Sequence, residues 1–173
     1  MPKTPVVTVR SISLLFVLIL ASSDLGATTI QYASLQERVD RSTWIVHARV
    51  TEAASPVPFT TRYELEILSR IKAPDGRRVL TLTVPGGRDG HLEMRIPGMP
   101  RLIPNETAVL LLEESSPGVL IFTGLGLGVF TVSSNGMISQ SLFGAELLDH
   151  AHPTEIPEGS LADLLAVLRA LSR

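Results

Sequence analysis

The amino-acid sequence predicts a mainly β protein: a small antiparallel barrel with a short helix ahead of its strands and a second helix at its C-terminal end. Three observations carry that expectation. Segments such as Val79-Leu-Thr-Leu-Thr-Val84 alternate apolar and polar residues with a period of two, the pattern of a strand with one buried face. Breaks rich in glycine and proline separate these segments at short intervals, so successive strands are joined by turns and pair most simply as an antiparallel meander. Helical spacing of apolar residues is confined to the 34–42 and 160–172 regions beyond the first 27 residues.

Taken in order, residues 1–27 read as a signal peptide. Lys3 and Arg10 precede the apolar run Ile12-Ser-Leu-Leu-Phe-Val-Leu-Ile-Leu-Ala21. A helix of about ten residues spans only about 15 Å, half a hydrocarbon core, which suits a leader better than a membrane span. Cleavage before Thr28 is favoured over cleavage before Asp24, and an uncleaved anchor is the alternative reading. No cysteine follows the run to accept a lipid. The expectation is an exported protein, periplasmic or extracellular, whose mature part, 28–173, forms one domain without a stable membrane anchor.

Ser34-Leu-Gln-Glu37 has the form of a capping box, in which the serine and the glutamate satisfy each other's backbone N–H groups at a helix start. Leu35 and Val39, four apart, face the core. The strand from Trp44 to Val50 places Trp44, Val46, Ala48 and Val50 on one face and turns His47 and Arg49 the other way. A loop at 53–58 leads to a long strand over 60–71 with Tyr63, Leu65 and Ile67 inward. The Ala-Pro-Asp-Gly-Arg turn at 73–77 joins it to the strand at 79–84.

Residues 85–104 form a connection too long for a simple hairpin, with breakers at Pro85-Gly-Gly87 and Pro97-Gly-Met-Pro100 around a short arm at 90–96. Beyond it, Ala108-Val-Leu-Leu-Leu-Glu113 is an almost continuous apolar run, the mark of a central strand buried on both faces. Ser115-Ser-Pro-Gly118 turns the chain into 119–123. The glycines at 124, 126 and 128 leave one face bare and allow a sharply coiled strand that continues into 129–132. A turn at Ser134-Asn-Gly136 precedes a strand over 137–143, and Leu161, Leu164, Leu165, Leu168 and Leu171 form the apolar stripe of the final helix.

The ordered run of P-G-G, R-I-P-G-x-P, N-E-x-x-V-L-L-L-E and G-x-G-x-G-x-F-x-V, within residues 44–132, resembles an uncharacterised family of small secreted bacterial β-rich proteins. More distantly, the order of strands W-I-V-x-A-x-V, a second strand, a loop and L-L-L is similar to the oligonucleotide/oligosaccharide-binding (OB) barrel of netrin-type modules and tissue inhibitors of metalloproteinases. That likeness implies an OB-like barrel. The inhibitors chelate the target's zinc through an amino-terminal cysteine, and this chain has no cysteine, so their mechanism does not carry over.

A formal charge of −2 argues against nucleic-acid binding by bulk electrostatics. An exported protein with no cysteine is stabilised by packing rather than cross-links. The glycine motif is not the dinucleotide fingerprint, whose G-x-G-x-x-G spacing sits on a strand-to-helix turn, and no cofactor is implied. The chain has no G-x-S-x-G elbow, no H-E-x-x-H and no thiol nucleophile.

Two clusters remain. His150 and His152, beside Asp149 and Glu146, share one side of an extended segment and have the chemistry of zinc or copper ligands; a solvated loop before the last helix is the other reading. Arg88, Arg95 and Arg101 fall within the 85–104 connection. Folded over one barrel mouth they make an anion-binding rim, or else an ordinary charged surface neutralised by Asp75, Asp89, Glu93 and Glu106. Two functional classes follow. The favoured one is a non-catalytic module that presents this loop and a barrel face to an extracytoplasmic protein or glycan; the alternative is a metal-binding protein or hydrolase built on His150 and His152.

Overall fold

The computed structural model describes residues 29–147 and 159–173, so the 1–27 leader and the 148–158 segment, with His150 and His152, lie outside the described residues. The elements are β1 (Thr29–Ile30), α1 (Leu35–Arg41), β2 (Trp44–Ala54), β3 (Thr60–Lys72), β4 (Val79–Pro85), β5 (Gly87–Asp89), β6 (Leu92–Met94), β7 (Thr107–Ser116), β8 (Val119–Phe122), a 3-10 turn (Leu125–Gly128), β9 (Val129–Val132), β10 (Ile138–Gln140), β11 (Glu146–Leu147) and α2 (Leu161–Leu171). Seven strands form one antiparallel sheet in the order β10-β9-β7-β2-β3-β4, with β8 also paired to β7.

Both helices begin as the sequence dictates. Ser34 and Glu37, and again Ser160 and Asp163, exchange side-chain and backbone hydrogen bonds as complete capping boxes, which satisfies N–H groups that a helix start otherwise leaves unpaired.

The central strands β2 and β7 are buried on both faces. Trp44, Val46, Ala48, Leu110 and Leu112 point into one apolar cluster with Tyr63 and Leu65 of β3 and Leu80, Leu82 and Val84 of β4. Ile45, Val109, Leu111 and Phe130 point the opposite way, against Leu35 and Val39 of α1 and Leu164 and Leu168 of α2. The continuous apolar run of β7 therefore feeds two cores, one enclosed by the curling sheet and one roofed by helices.

The sheet is open, which corrects the expected closed barrel. Side chains of β4 and β8 meet across the first core, although three strands lie between them in the sheet, but no ladder joins them. Closure fails because the outer edge of β7 is already taken twice. Its C-terminal half pairs with β8 and its N-terminal half with β9, and β10 then extends the sheet away from β4. The curl arises in the β2–β3 ladder, where the register shifts at three places; such bulges increase local twist and bend a strand.

The glycine-rich segment is the second correction. It is not a coiled strand; the return strand leaves the sheet between β8 and β9. Thr123 N–H still donates to the Leu111 carbonyl at 2.9 Å, and the chain then turns through Gly124 and Leu125, both at positive φ, into the 3-10 turn. Gly126 is required by close approach: a Cβ there would stand 2.6 Å from the Ser141 carbonyl oxygen. Arg38, buried in the core-facing side of α1, donates to the Leu127 carbonyl and to the Ser34 carbonyl and lies 6.0 Å from the Phe130 ring centre.

Candidate functional site

The connection between β4 and β7 is fixed to the fold at several points. The Thr61 hydroxyl donates to the Gly86 carbonyl at 2.7 Å, the Gly98 N–H donates to the Phe143 carbonyl at 3.0 Å, and the Gly98 carbonyl accepts the Gly126 N–H at 3.0 Å. Gly87 lies against the Thr60 carbonyl, where a Cβ would stand 2.5 Å from the oxygen. Farther along, Leu102 is buried in the first core and its N–H donates to the Tyr63 hydroxyl oxygen at 3.3 Å. Between these anchors β5 and β6 form a separate two-stranded hairpin.

A pocket of about 460 Å³ opens between this connection and the end of the sheet. Tyr63, Val84, Ile96, Met99, Leu102 and Phe143 supply apolar lining, and Arg88, Glu93, Arg95 and Arg101 are its charged residues. All three arginines singled out in the sequence thus border one cavity. Arg88 and Glu93 are cross-strand partners in the hairpin, so they share one of its faces.

The acids expected to neutralise the arginines divide unequally. Glu93 alone reaches them among the described residues: Oε2 lies 3.2 Å from Arg95 and Oε1 lies 2.7 Å from Arg101. Asp75 is engaged by Arg77 in the β3–β4 turn, and the Glu106 carboxylate accepts the Ile103 N–H at 2.9 Å. Arg88 makes no ion pair among the described residues. The Arg95 hydrogen bond, followed by the charges of Arg101, Arg95 and Arg88, holds the Glu93 carboxyl below its ordinary pKa, so it is a carboxylate at neutral pH. Burial raises the Tyr63 phenol above its ordinary value, so it stays protonated.

These groups are suited to binding. A guanidinium keeps its proton throughout the physiological range, and three of them at the mouth of an apolar cavity present hydrogen-bond donors and positive charge to an anion. In the sequence Glu93 is one of four acids interspersed with the arginines, and its bridging position emerges in the fold. The signal was available, because Glu93 and Arg95 are two apart in an extended arm and share a face. Tyr63 and Phe143 come from outside the loop, and no local spacing links them to it.

His150 and His152 lie outside the described residues, and Glu146, on β11, pairs in parallel with Thr29 of β1. No helix among the described residues is long and apolar enough to cross a membrane. Comparison with known protein families, curated proteins and solved structures finds no match.

Proposed function

We propose that this chain is an exported binding module that holds an extracytoplasmic protein or glycan partner against the 85–104 connection and the adjoining edge of the sheet. The observation that carries the reading is the convergence of Arg88, Arg95 and Arg101 on one cavity in which Glu93 is the single carboxylate opposing them among the described residues. Loops anchored on a rigid sheet commonly carry recognition, and this loop is tied down at Gly86, Gly98 and Leu102. A segment already held in one conformation loses less entropy when it binds.

The test compares wild type with the Arg88→Gln, Arg95→Gln, Arg101→Gln triple variant, each immobilised and exposed to the extracytoplasmic fraction. Support is a species retained by wild type, released by raised salt, and lost from a triple variant that still unfolds at nearly the wild-type temperature. Equal retention by both proteins would move the interaction surface elsewhere. Export is tested separately: amino-terminal sequencing of the mature protein is expected to begin near Thr28, and an intact Met1 in a membrane fraction would overturn it.

A further inference from the structure

Beyond a macromolecular partner, we propose that the 460 Å³ pocket takes a small amphipathic carboxylate, and that Glu93 is a built-in carboxylate which such a ligand displaces from Arg95 and Arg101. The inference rests on reading this pocket as the binding site and adds the class of ligand.

The cavity's size falls within the range of about 300–1,000 Å³ usual for small-molecule sites. Its composition is divided. Val84, Met99, Leu102 and Phe143 offer apolar contact, while the four charged residues belong to the hairpin and the strand-free chain after it. A ligand that satisfies both parts has an apolar body and one anionic end.

Glu93 identifies the anionic end. Each of its carboxylate oxygens meets a different guanidinium, Oε2 with Arg95 and Oε1 with Arg101, so the rim already holds a carboxylate in a bridging geometry. The Glu93 side chain is 26% exposed, against 75% for Arg95 and 59% for Arg101; the acid is the least exposed of the three, although all three residues lie at the surface. Arg88 stands opposite Glu93 in the hairpin without an ion pair of its own among the described residues. Exchange is inexpensive on two counts. Ion pairs between exposed side chains contribute little to stability, and among the described residues β6 pairs only with β5, in a three-rung hairpin outside the main sheet, an arrangement with little stability of its own.

Calorimetric titration with decanoate, decanol and acetate, below micelle-forming concentrations, separates charge from apolar body. Wild type is expected to bind decanoate in preference to both decanol and acetate. Glu93→Gln, which removes the competing charge and keeps the shape, is expected to tighten decanoate about tenfold, and Arg101→Gln to weaken it by a similar factor, the scale of one charge-assisted hydrogen bond. Decanol is expected to be indifferent to both changes. Thermal unfolding of each variant checks that it is folded.

Equal affinity for decanoate and decanol would overturn the anion requirement, and equal affinity for decanoate and acetate would overturn the apolar one. An unchanged or weakened decanoate affinity in Glu93→Gln would overturn displacement. Failure of decanoate to bind either wild type or Glu93→Gln would overturn the ligand class altogether. The triple-variant retention experiment still decides the module reading in that event, so the two proposals fail separately.

Discussion

Two excursions leave the sheet, and the arginines beside them are held in opposite ways. The 123–128 excursion is sealed: Gly126 and Gly128 press on neighbouring carbonyls, and buried Arg38 donates to the carbonyl of Leu127. The 85–104 connection is anchored at its base and open above, with Arg88, Arg95 and Arg101 exposed around a cavity. Both are rich in glycine and both are tied to the same sheet. The difference lies in burial. A guanidinium taken out of water is committed to the groups that satisfy it, whereas an exposed one is left available to a ligand.

The largest effect belongs to the sealed side. Leu111 is fully buried against the helices, and its carbonyl accepts the Thr123 N–H where the excursion begins. Leu111→Ala is expected to lower unfolding free energy by about 2–5 kcal/mol through the cavity it leaves, as measured by denaturant titration, and Leu110→Ala on the opposite face is expected to fall in the same range. A loss below about 0.5 kcal/mol at both positions would contradict a strand buried on both faces.

Next comes Arg38→Leu. The substitution keeps apolar bulk but deletes donors to the Leu127 and Ser34 carbonyls, and hydrogen bonds made by charged groups contribute about 1.5–3 kcal/mol. Gln140 also donates to Leu127, at 2.6 Å, so the expected loss is about 1.5–3 kcal/mol, with Arg38→Leu, Gln140→Leu together costing more. A neutral Arg38→Leu would erase the contrast between the two excursions.

On the open side, the Arg88, Arg95, Arg101 triple glutamine variant is expected to change stability by no more than about 1 kcal/mol. Unfolding of that variant under native conditions would make these arginines structural and remove the basis of the binding proposal.

The smallest effect is a pH dependence from a third position. His47, on β2 between Val109 and Ser69, has Nε2 buried without a protein hydrogen-bond partner among the described residues. Burial, and secondarily the charge of Arg49, lowers its pKa. The unfolded chain therefore takes up this proton at higher pH than the folded one. Stability from this group is complete above about pH 6.5, the ordinary histidine value, and declines as pH falls toward the lower folded value. His47→Gln is expected to flatten that segment of the stability profile, and an unchanged slope would assign it to other groups.

The sequence by itself determined whatever depends on neighbours along the chain. The start of α1 was legible because a capping box is closed within four residues, α2 was legible from the helical period of its leucines, and the inward faces of β2 and β3 were legible because strand periodicity is local. Leu110 and Leu111 announced a two-sided central strand through an unbroken apolar run. Tertiary structure alone decided what depends on which edges meet. The sequence predicted a barrel, but β8 and β9 share one edge of β7 and leave the outer edge of β4 without a partner strand among the described residues, an outcome no periodicity encodes. The glycines at 124–128 signalled close approach without saying what approaches, and only the fold brought the Ser141 and Thr123 carbonyls there. The arginines were visible as a cluster within the loop. That one carboxylate bridges two of them above an apolar floor containing Tyr63 and Phe143 follows from contacts across the chain, where long-range packing, and not local spacing, sets the distances.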